Sequence, residues 1–238
     1  MKNKLAVFTA ILVLLLPVII IACAVPASPQ TPDGNVTPAG TAPAVKEVEA
    51  TEFEGKQLTP IALQRNNALA GTQYLFKNEY RLTVDGLVDN PLSLSYADLE
   101  AYPQISQLMD LDCVEGWNFT AKWTGPELNA ILNDARVKPD AIIAIFYTPE
   151  GPYGFTSLDL SYIREENIII ALKDNDITLP PDRGFPFQVI AEGKYGYKWA
   201  KWVIRIEISS DATFRGYWES QGYNNNADIN GPKSEPRQ

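Results

Sequence analysis

The thiol of Cys113 is the side chain in this sequence best suited to chemistry. It lies within residues 111–117 and precedes Trp123, Gly125 and segment 126–132, which has the composition of a helix with proline in its first turn. A thiol in a loop ahead of a helix experiences the partial positive charge of the helix N-terminus, which favours the thiolate. The alternative interpretation is a buried structural cysteine, because free cysteine is among the most buried residue types.

A second candidate for chemistry is the basic and aromatic segment 193–202. It contains Lys194, Lys198 and Lys201 interleaved with four aromatic residues, in an otherwise acidic chain. Ammonium groups and backbone N–H donors in such a segment could hold a phosphate, with glycines allowing close approach. The same pattern also suits an edge hairpin with solvated lysines, which is a common protection against aggregation.

The composition excludes several kinds of site. The 238 residues include no histidine, which excludes a Ser-His-Asp or Cys-His hydrolase, a histidine-ligated zinc and a bis-histidine haem. The net charge of −9 argues against nucleic acid as a partner, because phosphate backbones require a basic surface. A hydrophobic content of 45% is sufficient for one sizeable core.

Residues 1–22 have the pattern of a lipoprotein signal peptide. Lys2 and Lys4 precede an apolar run, and residues 20–23 read Ile-Ile-Ala-Cys, which resembles a bacterial lipobox with Cys23 as the lipidated residue. We therefore expect Cys23 to anchor the chain to membrane lipid, on the extracytoplasmic face of the cell membrane. An uncleaved membrane anchor is the alternative, although the run is short for a full span.

Residues 23–57 are predicted to be a lipidated, disordered tether. Five prolines stand among Ala, Thr, Ser and Gly in residues 24–50, which contain no aromatic residue and cannot bury enough apolar surface to fold. The folded domain is expected over residues 58–223, followed by a polar C-terminal tail at 224–238. If Cys23 carries lipid, Cys113 has no disulfide partner.

Short strands and short helices alternate along the predicted domain. Strands are predicted from β-favouring and alternating residues at 80–88, 141–147, 167–172, 185–191 and 203–208, and short helices at 95–102 and 157–164. Ser95 and Asp98 have capping-box-like spacing at the start of the first helix. Strands without long crossover helices favour an α+β fold with a mixed sheet.

Several segments, taken in order, resemble the molybdopterin-binding domain of the sulfite oxidase family. The matching segments are Arg65-Asn66, 80–87, 113–117 with Trp123 and Gly125, 184–187, 194–202, 216–219 and 222–223. Each segment is weak evidence by itself, but the ordered set is specific and covers roughly residues 58–223. The resemblance implies a single domain with the mixed-sheet fold of that family.

The resemblance also implies a molybdopterin that holds molybdenum, with Cys113 as the protein's metal ligand and catalytic residue. A thiolate is a soft donor suited to such a metal. The residues that the resemblance and the basic segment assign to cofactor binding are Arg65, Asn66, Cys113, Arg183, Lys194, Tyr197, Lys198 and Lys201. Lys201 is the preferred phosphate ligand, because its stem can pack between Trp199 and Trp202.

Two positions and the N-terminal signal depart from the family pattern. Asn67 stands where many relatives have histidine, and Gln188 stands where many have arginine. The loss of that arginine leaves sulfite in doubt as the substrate, because a doubly charged anion requires several cations. Relatives that reduce sulfoxides carry a twin-arginine export signal, whereas this chain begins with Lys2-Asn3-Lys4, which leaves its export route open.

Two functions from different classes follow from these observations. The first is a molybdopterin-dependent oxidoreductase that performs two-electron oxygen-atom transfer on a small oxo-anion or an S- or N-oxide. It would act outside the cytoplasmic membrane and exchange electrons with a membrane or extracytoplasmic partner. The second is a non-catalytic extracytoplasmic binding module that retains the fold without metal. Cys113 favours the first, because an empty scaffold has no need of a thiol at this position.

Overall fold

The computed structural model describes residues 46–235, so the predicted signal peptide and the lipidation site Cys23 lie outside the described residues. The strands are β1 (Glu52–Phe53), β2 (Lys56–Gln57), β3 (Leu82–Gly86), β4 (Leu92–Leu94), β5 (Gln104–Asp112), β6 (Asn118–Pro126), β7 (Ile143–Tyr147), β8 (Phe155–Asp159), β9 (Ile169–Ala171), β10 (Lys173–Asp174), β11 (Ile177–Thr178), β12 (Gln188–Ile190) and β13 (Arg205–Ser209). The α-helices are α1 (Tyr96–Ala101), α2 (Leu128–Ala135), α3 (Leu160–Glu165) and α4 (Tyr217–Ser220).

Two larger sheets organise the described residues. The five-stranded sheet has the order β4-β3-β13-β7-β8, in which β13 is parallel to β3 and antiparallel to β7. The four-stranded sheet has the order β11-β10-β6-β5, and β9 pairs separately with β12. The mixed strand directions and the short helices confirm the predicted α+β class.

One apolar core unites these sheets. Phe146 comes from the five-stranded sheet, Trp123 from the four-stranded sheet and Ile170 and Val189 from the β9–β12 pair, and all four are fully buried. Strand β7 reads Ile-Ala-Ile-Phe-Tyr, a sequence that can be buried on both faces. Full burial of each large apolar side chain contributes roughly 1.5–3 kcal/mol to the stability of the fold. The core therefore fixes the positions of the strands.

Helix α1 begins with the capping box that the sequence predicts. The N–H of Asp98 donates to the Ser95 hydroxyl (3.2 Å), and the N–H of Ser95 donates to the Asp98 carboxylate (2.8 Å). The two side chains satisfy donors that the helix leaves unpaired. Leu99 and Tyr96 then face the core.

Two other helical segments begin later than predicted. The long strand β6 continues to Pro126, so helix α2 begins at Leu128. Strand β8 likewise occupies the first part of the predicted helix 157–164, and helix α3 begins at Leu160. Pairing of β8 with β7 along five residues satisfies the backbone there better than a short helix.

The ordered body begins earlier than the predicted boundary at residue 58. The strands β1 and β2 form a hairpin inside the segment assigned to the tether. The N–H of Ala50 donates to the carbonyl of Asn175 (2.8 Å), and the Glu47 carboxylate accepts bonds from the N–H and hydroxyl of Thr178. Residues 46–57 are therefore held by long-range pairing that their composition does not reveal.

The predicted tail also packs on the domain as far as residue 235. Ala227 is fully buried, and its carbonyl accepts from the N–H of Tyr195 (2.8 Å). The N–H of Ile229 donates to the carbonyl of Gly193 (3.0 Å). Residues of the predicted polar tail therefore pack against the domain up to residue 235. Within the described part of the chain, every helix is too short or too polar to cross a membrane.

Candidate active site

Cys113 lies in the loop between strands β5 and β6, which pair antiparallel up to Asp112 and Asn118. The N–H of Cys113 donates to the carbonyl of Trp117 (2.9 Å), and the N–H of Gly116 donates to the carbonyl of Cys113 (2.9 Å). These bonds close the loop, and Gly116 has a φ of 88°, which favours glycine. The hairpin therefore fixes the position of the thiol.

The prediction that a helix N-terminus activates this thiol is wrong, because helix α2 begins at the far end of strand β6. Burial raises the pKa of the Cys113 thiol above its usual value. The backbone N–H of Glu115 and the positive charges of Arg65 and Lys233 lower the pKa by smaller amounts. A metal ion bound to the sulfur would favour the thiolate.

Cys113 lines a cavity of about 510 Å³, a volume typical of small-molecule and cofactor sites. Its walls come from the Cys113 loop, an arm formed by residues 65–69, the turn around residues 148–154 and two later segments. Six of the predicted site residues line it. They are Arg65, Asn66, Cys113, Arg183, Tyr197 and Lys201.

Arg183 holds the base of the arm. It lies on a 3-10 turn, Pro181–Arg183, and its guanidinium donates to the carbonyl oxygens of Gln64 and Arg65, the latter at 3.0 Å. The Arg65 guanidinium is exposed and lies 5.4 Å from the centre of the Trp117 ring. Arg183 therefore positions the arm, while Arg65 lies beside the Cys113 loop.

Lys201 holds the middle of the arm. Its ammonium donates to the side-chain oxygen of Asn66 and to the carbonyl of Asn67 (2.7 Å). The Asn66 amide in turn donates to the carbonyl of Asp182 (2.6 Å). The structure thus brings Asn66 and Lys201 together, although they are 135 residues apart in sequence.

Asn67 is a site residue that the sequence analysis noted only as a departure from relatives. Its amide nitrogen lies 3.9 Å from the sulfur of Cys113, within reach of a weak N–H to sulfur contact. The arm therefore meets the Cys113 loop directly at this residue.

Two of the predicted phosphate-binding lysines do not line the cavity. Lys194 donates to Asn226 (2.6 Å) and to the Asp228 carboxylate (2.5 Å). Lys198 is fully buried and forms an ion pair with Glu219. Both ammonium groups pair with carboxylates away from the cavity lining, so the structure does not bring Lys194 and Lys198 together with the other predicted site residues. The alternative of a solvated edge hairpin is wrong, because both side chains are buried.

Tyr197, Tyr223 and Trp218 form an aromatic wall of the cavity. The Tyr197 hydroxyl donates to the carbonyl of Asn224 (2.7 Å), and its ring lies 5.4 Å from that of Tyr223. The Trp218 ring lies 5.5 Å from the ring of Tyr223. Tyr153 and Glu150 also line the cavity. Residues 217–223 were part of the family resemblance, but no sequence signal indicated Tyr153 or Glu150.

Asp174 lies in strand β10 of the four-stranded sheet and hydrogen-bonds Gln64, the residue before the arm. It is fully buried and accepts a bond from the Gln64 amide (3.1 Å). Burial raises its pKa to about 7, and the Gln64 bond and the charge of Arg183 only partly oppose this. A second oxygen of Asp174 and the side-chain oxygen of Gln64 have no hydrogen-bond partner among the described residues.

Asp174→Asn is expected to stabilise the protein at pH 8. An acid with a raised folded-state pKa stays protonated while the unfolded chain ionises, so stability falls as pH rises from about 4 to about 7 and is constant above that range. The neutral amide removes this loss, which is on the order of 2–4 kcal/mol. Urea unfolding at pH 5 and pH 8 measures the change in unfolding free energy between these pH values. Asp140→Asn, at an exposed site, is the control; equal pH slopes in wild type and Asp174→Asn would contradict the prediction.

The residues of the cavity fit a molybdenum-holding pterin. Among residues 46–235, no group of three or more Cys, Asp or Glu side chains could enclose a metal, so a metal held by Cys113 would draw on donors outside such a group. A pterin dithiolene provides soft donors of that kind. Arg183 lines the same cavity, and a guanidinium there suits an anionic group.

Comparison with known proteins identifies relatives that are named as oxidoreductases or sulfoxide reductases. The chain is 33% identical over 151 residues to the uncharacterised oxidoreductase YuiH of Bacillus subtilis, covering 63% of this chain and 75% of that protein. It is 32% identical to the putative protein-methionine-sulfoxide reductase subunit YedZ1 of Azospira oryzae, covering 61% of this chain and 54% of that protein. It is 24% identical to the protein-methionine-sulfoxide reductase catalytic subunit MsrP of Campylobacter jejuni, covering 73% and 64%.

A solved structure shares the fold. The sulfane dehydrogenase SoxCD from Paracoccus pantotrophus matches with a TM-score of 0.57 and 23% identity, over 75% of this chain and 55% of that chain. The chain thus spans about half the length of this structure and of YedZ1. The family model of the oxidoreductase molybdopterin-binding domain matches residues 70–218. The protein therefore belongs to the sulfite oxidase family of molybdenum-dependent, molybdopterin-binding oxidoreductases.

Proposed function

We propose that this oxidoreductase reduces a small organic S-oxide, or an N-oxide of similar size, by two-electron oxygen-atom transfer outside the cytoplasmic membrane. When bound, the molybdopterin centre would supply the two-electron oxygen-atom-transfer chemistry. Cys113 is proposed as its protein ligand. Arg65, Asn66, Arg183, Tyr197 and Lys201 are proposed to hold the cofactor, as each lines the cavity.

This proposal rests on two features of the cavity. One wall is aromatic, and two of the cationic side chains that line it already donate hydrogen bonds to oxygens of the protein. Trp218, Tyr223 and Tyr153 line the cavity. Arg183 and Lys201 already donate to oxygens of the arm, and Gln188 occupies the position where many relatives have arginine. A neutral, polar S-oxide suits this environment better than a doubly charged anion, which needs several charge-assisted bonds.

Oxidation of an oxo-anion such as sulfite is the second candidate. It is supported by Arg65, Arg183 and Lys201, which line one cavity. The alternative of a metal-free binding module loses support, because the protein belongs to an oxidoreductase family and Cys113 lines its cavity.

Parallel assays on one molybdenum-loaded preparation distinguish these directions. Reduced viologen with methyl sulfoxides tests reduction, and sulfite with an electron-accepting dye tests oxidation. We expect kcat/KM per bound molybdenum to be at least about tenfold higher for the S-oxide, since tenfold corresponds to one lost charge-assisted bond. A higher kcat/KM for sulfite would overturn the assigned direction.

We further propose that the body is held at the outer face of the cell membrane through Cys23, and that an electron-transfer partner acts there. The lipobox-like residues 20–23 support the anchor. The relatives named as a reductase subunit and a catalytic subunit support a partner protein. Mass spectrometry of membrane-extracted protein should find acylated Cys23 at the N-terminus, and an intact Met1 would refute the anchor.

A further inference from the structure

Asn67 is the residue through which the arm reaches the sulfur of Cys113. Its side-chain nitrogen lies 3.9 Å from the sulfur, in the geometry of a donor. Sulfur is larger than oxygen, so an N–H···S bond is longer than the roughly 2.7–3.2 Å of an N–H···O bond. The contact is therefore a weak hydrogen bond from an amide to the predicted metal ligand.

The main chain of Asn67 is fixed on the side away from the sulfur. The Lys201 ammonium donates to the carbonyl of Asn67 (2.7 Å) and to the side-chain oxygen of Asn66. The Asn66 amide donates in turn to the carbonyl of Asp182 (2.6 Å). Hydrogen bonds from a charged donor are roughly twice as strong as neutral ones. The arm therefore presents the Asn67 amide from a backbone that is held in place.

The loop that carries the sulfur is fixed by contacts of its own. Besides the main-chain bonds that close it, the Trp117 indole N–H donates to the Glu115 carboxylate (2.9 Å), and the Trp117 ring stacks on Phe119. The Arg65 guanidinium of the arm lies 5.4 Å from the centre of the Trp117 ring. The arm and the Cys113 loop thus meet at two neighbouring points, and only the Asn67 contact involves the sulfur.

An N–H donor changes what a thiolate sulfur gives to a metal. Hydrogen bonds to ligating sulfurs are one of the factors that set the reduction potential of a metal centre. The donor draws electron density from the sulfur, so the sulfur donates less to the metal and the reduced state becomes more favourable. Residues that bond to a metal ligand also fix its orientation.

We propose that Asn67 is a positioning residue for Cys113, whose amide N–H donates to the sulfur when that sulfur ligates molybdenum. The bond orients the sulfur and raises the reduction potential of the centre. This inference rests on the proposed ligation of molybdenum by Cys113. It holds for either direction of the reaction and for any substrate.

The first test detects the hydrogen bond in the full-length protein purified with its cofactor. With asparagine-selective ¹⁵N labelling, pulsed EPR of the one-electron-reduced molybdenum should show a ¹⁵N coupling, because the bond carries spin density from the sulfur to the donor nitrogen. Asn67→Leu, which is similar in size but has no N–H, should lose the coupling. The matched control Leu69→Ala, on the same arm and also lining the cavity, should keep it. Absence of the coupling in the wild-type protein would overturn the proposal.

The second test measures the effect on the metal by a redox titration. In Asn67→Leu the reduced-to-oxidised ratio at a fixed potential should fall about tenfold, the low end of the effect of losing a partner of a metal ligand. Tenfold corresponds to a drop of about 59 mV in a one-electron midpoint. Asn67→His should recover much of this drop, because an imidazole N–H is also a donor. An unchanged midpoint in Asn67→Leu, or an equal drop in Leu69→Ala, would overturn the proposal, since the latter would mean that the arm acts only by packing.

Neither test requires turnover, so failure of the proposed reaction is recognised separately. Cys113→Ala separates the remaining cases. If it retains molybdenum with the wild-type EPR spectrum, Cys113 is not the ligand and the inference fails with it. If its spectrum changes while Asn67→Leu matches the wild-type protein in both tests, Cys113 remains the ligand and only the role of Asn67 is overturned.

Discussion

Cys113→Ala is expected to abolish oxidoreductase turnover while leaving the protein folded. Cys113 is the free thiol of the described residues and it lines the cavity. Removing an outer-shell partner of a metal ligand already costs roughly 10–100-fold in activity or metal affinity, so losing the ligand itself should cost more than about 100-fold. The fold should survive, because main-chain bonds close the loop and the side chain is only half-buried.

Molybdenum and pterin contents, turnover and a thermal melt together measure this effect. Cys113→Ser keeps the size of the side chain but replaces the soft sulfur with a hard oxygen, so it should resemble Cys113→Ala. Ser106→Ala is a matched control, since Ser106 bonds Thr124 near the other end of the same hairpin (2.8 Å). Wild-type turnover in a molybdenum-containing Cys113→Ala protein would remove Cys113 from the metal site.

Features that depend on neighbouring residues could be predicted from the sequence. Ser95 and Asp98 satisfy each other's backbone donors three residues apart, so the start of helix α1 is encoded locally. The apolar run of strand β7 likewise matches a buried strand of the mixed sheet. Cys113 could be placed at the site because the family resemblance was carried by an ordered set of segments rather than by the thiol alone.

Side-chain partners that are distant in sequence could not be predicted. Lys194, Lys198 and Lys201 form one basic segment in the sequence, but a short 3-10 turn, Gly196–Lys198, directs them to three different environments. Lys194 meets Asp228 and Lys198 meets Glu219, and both partners lie in the C-terminal region. Only the fold determines which cation remains facing the cavity, because ion pairing depends on three-dimensional distance.

Glu150 and the ends of the domain were missed for the same reason. Glu150 has no distinguishing neighbours in the sequence, and a tight turn places it on the cavity wall. The tether and tail compositions are typical of disorder. Residues 46–57 and 224–235 nevertheless order because partners such as Thr178 and Tyr195 satisfy their polar groups.

Lys198→Ala is expected to cause the largest loss of stability, about 3–5 kcal/mol, as is typical when one partner of a buried ion pair is removed. The side chains of Lys198 and Glu219 are 2% and 1% exposed, so neither charge can be solvated by water. The ammonium also donates to the carbonyl of Ser157 (3.0 Å), and the Thr156 hydroxyl donates to the Glu219 carboxylate (2.8 Å). The pair therefore links the lysine segment, strand β8 and helix α4, which carries the aromatic wall.

Urea unfolding followed by tryptophan fluorescence measures the loss, and two variants identify its cause. Lys194→Ala should cost less, about 1 kcal/mol, because its partner Asp228 is 46% exposed and water can solvate the remaining charge. The double variant Lys198→Met/Glu219→Gln should recover much of the stability, since it removes both charges and retains the volume. Molybdopterin per folded Lys198→Met protein should stay at the wild-type level, because this ammonium binds Glu219 and not the cofactor. Normal stability with lost cofactor would instead return Lys198 to the phosphate site.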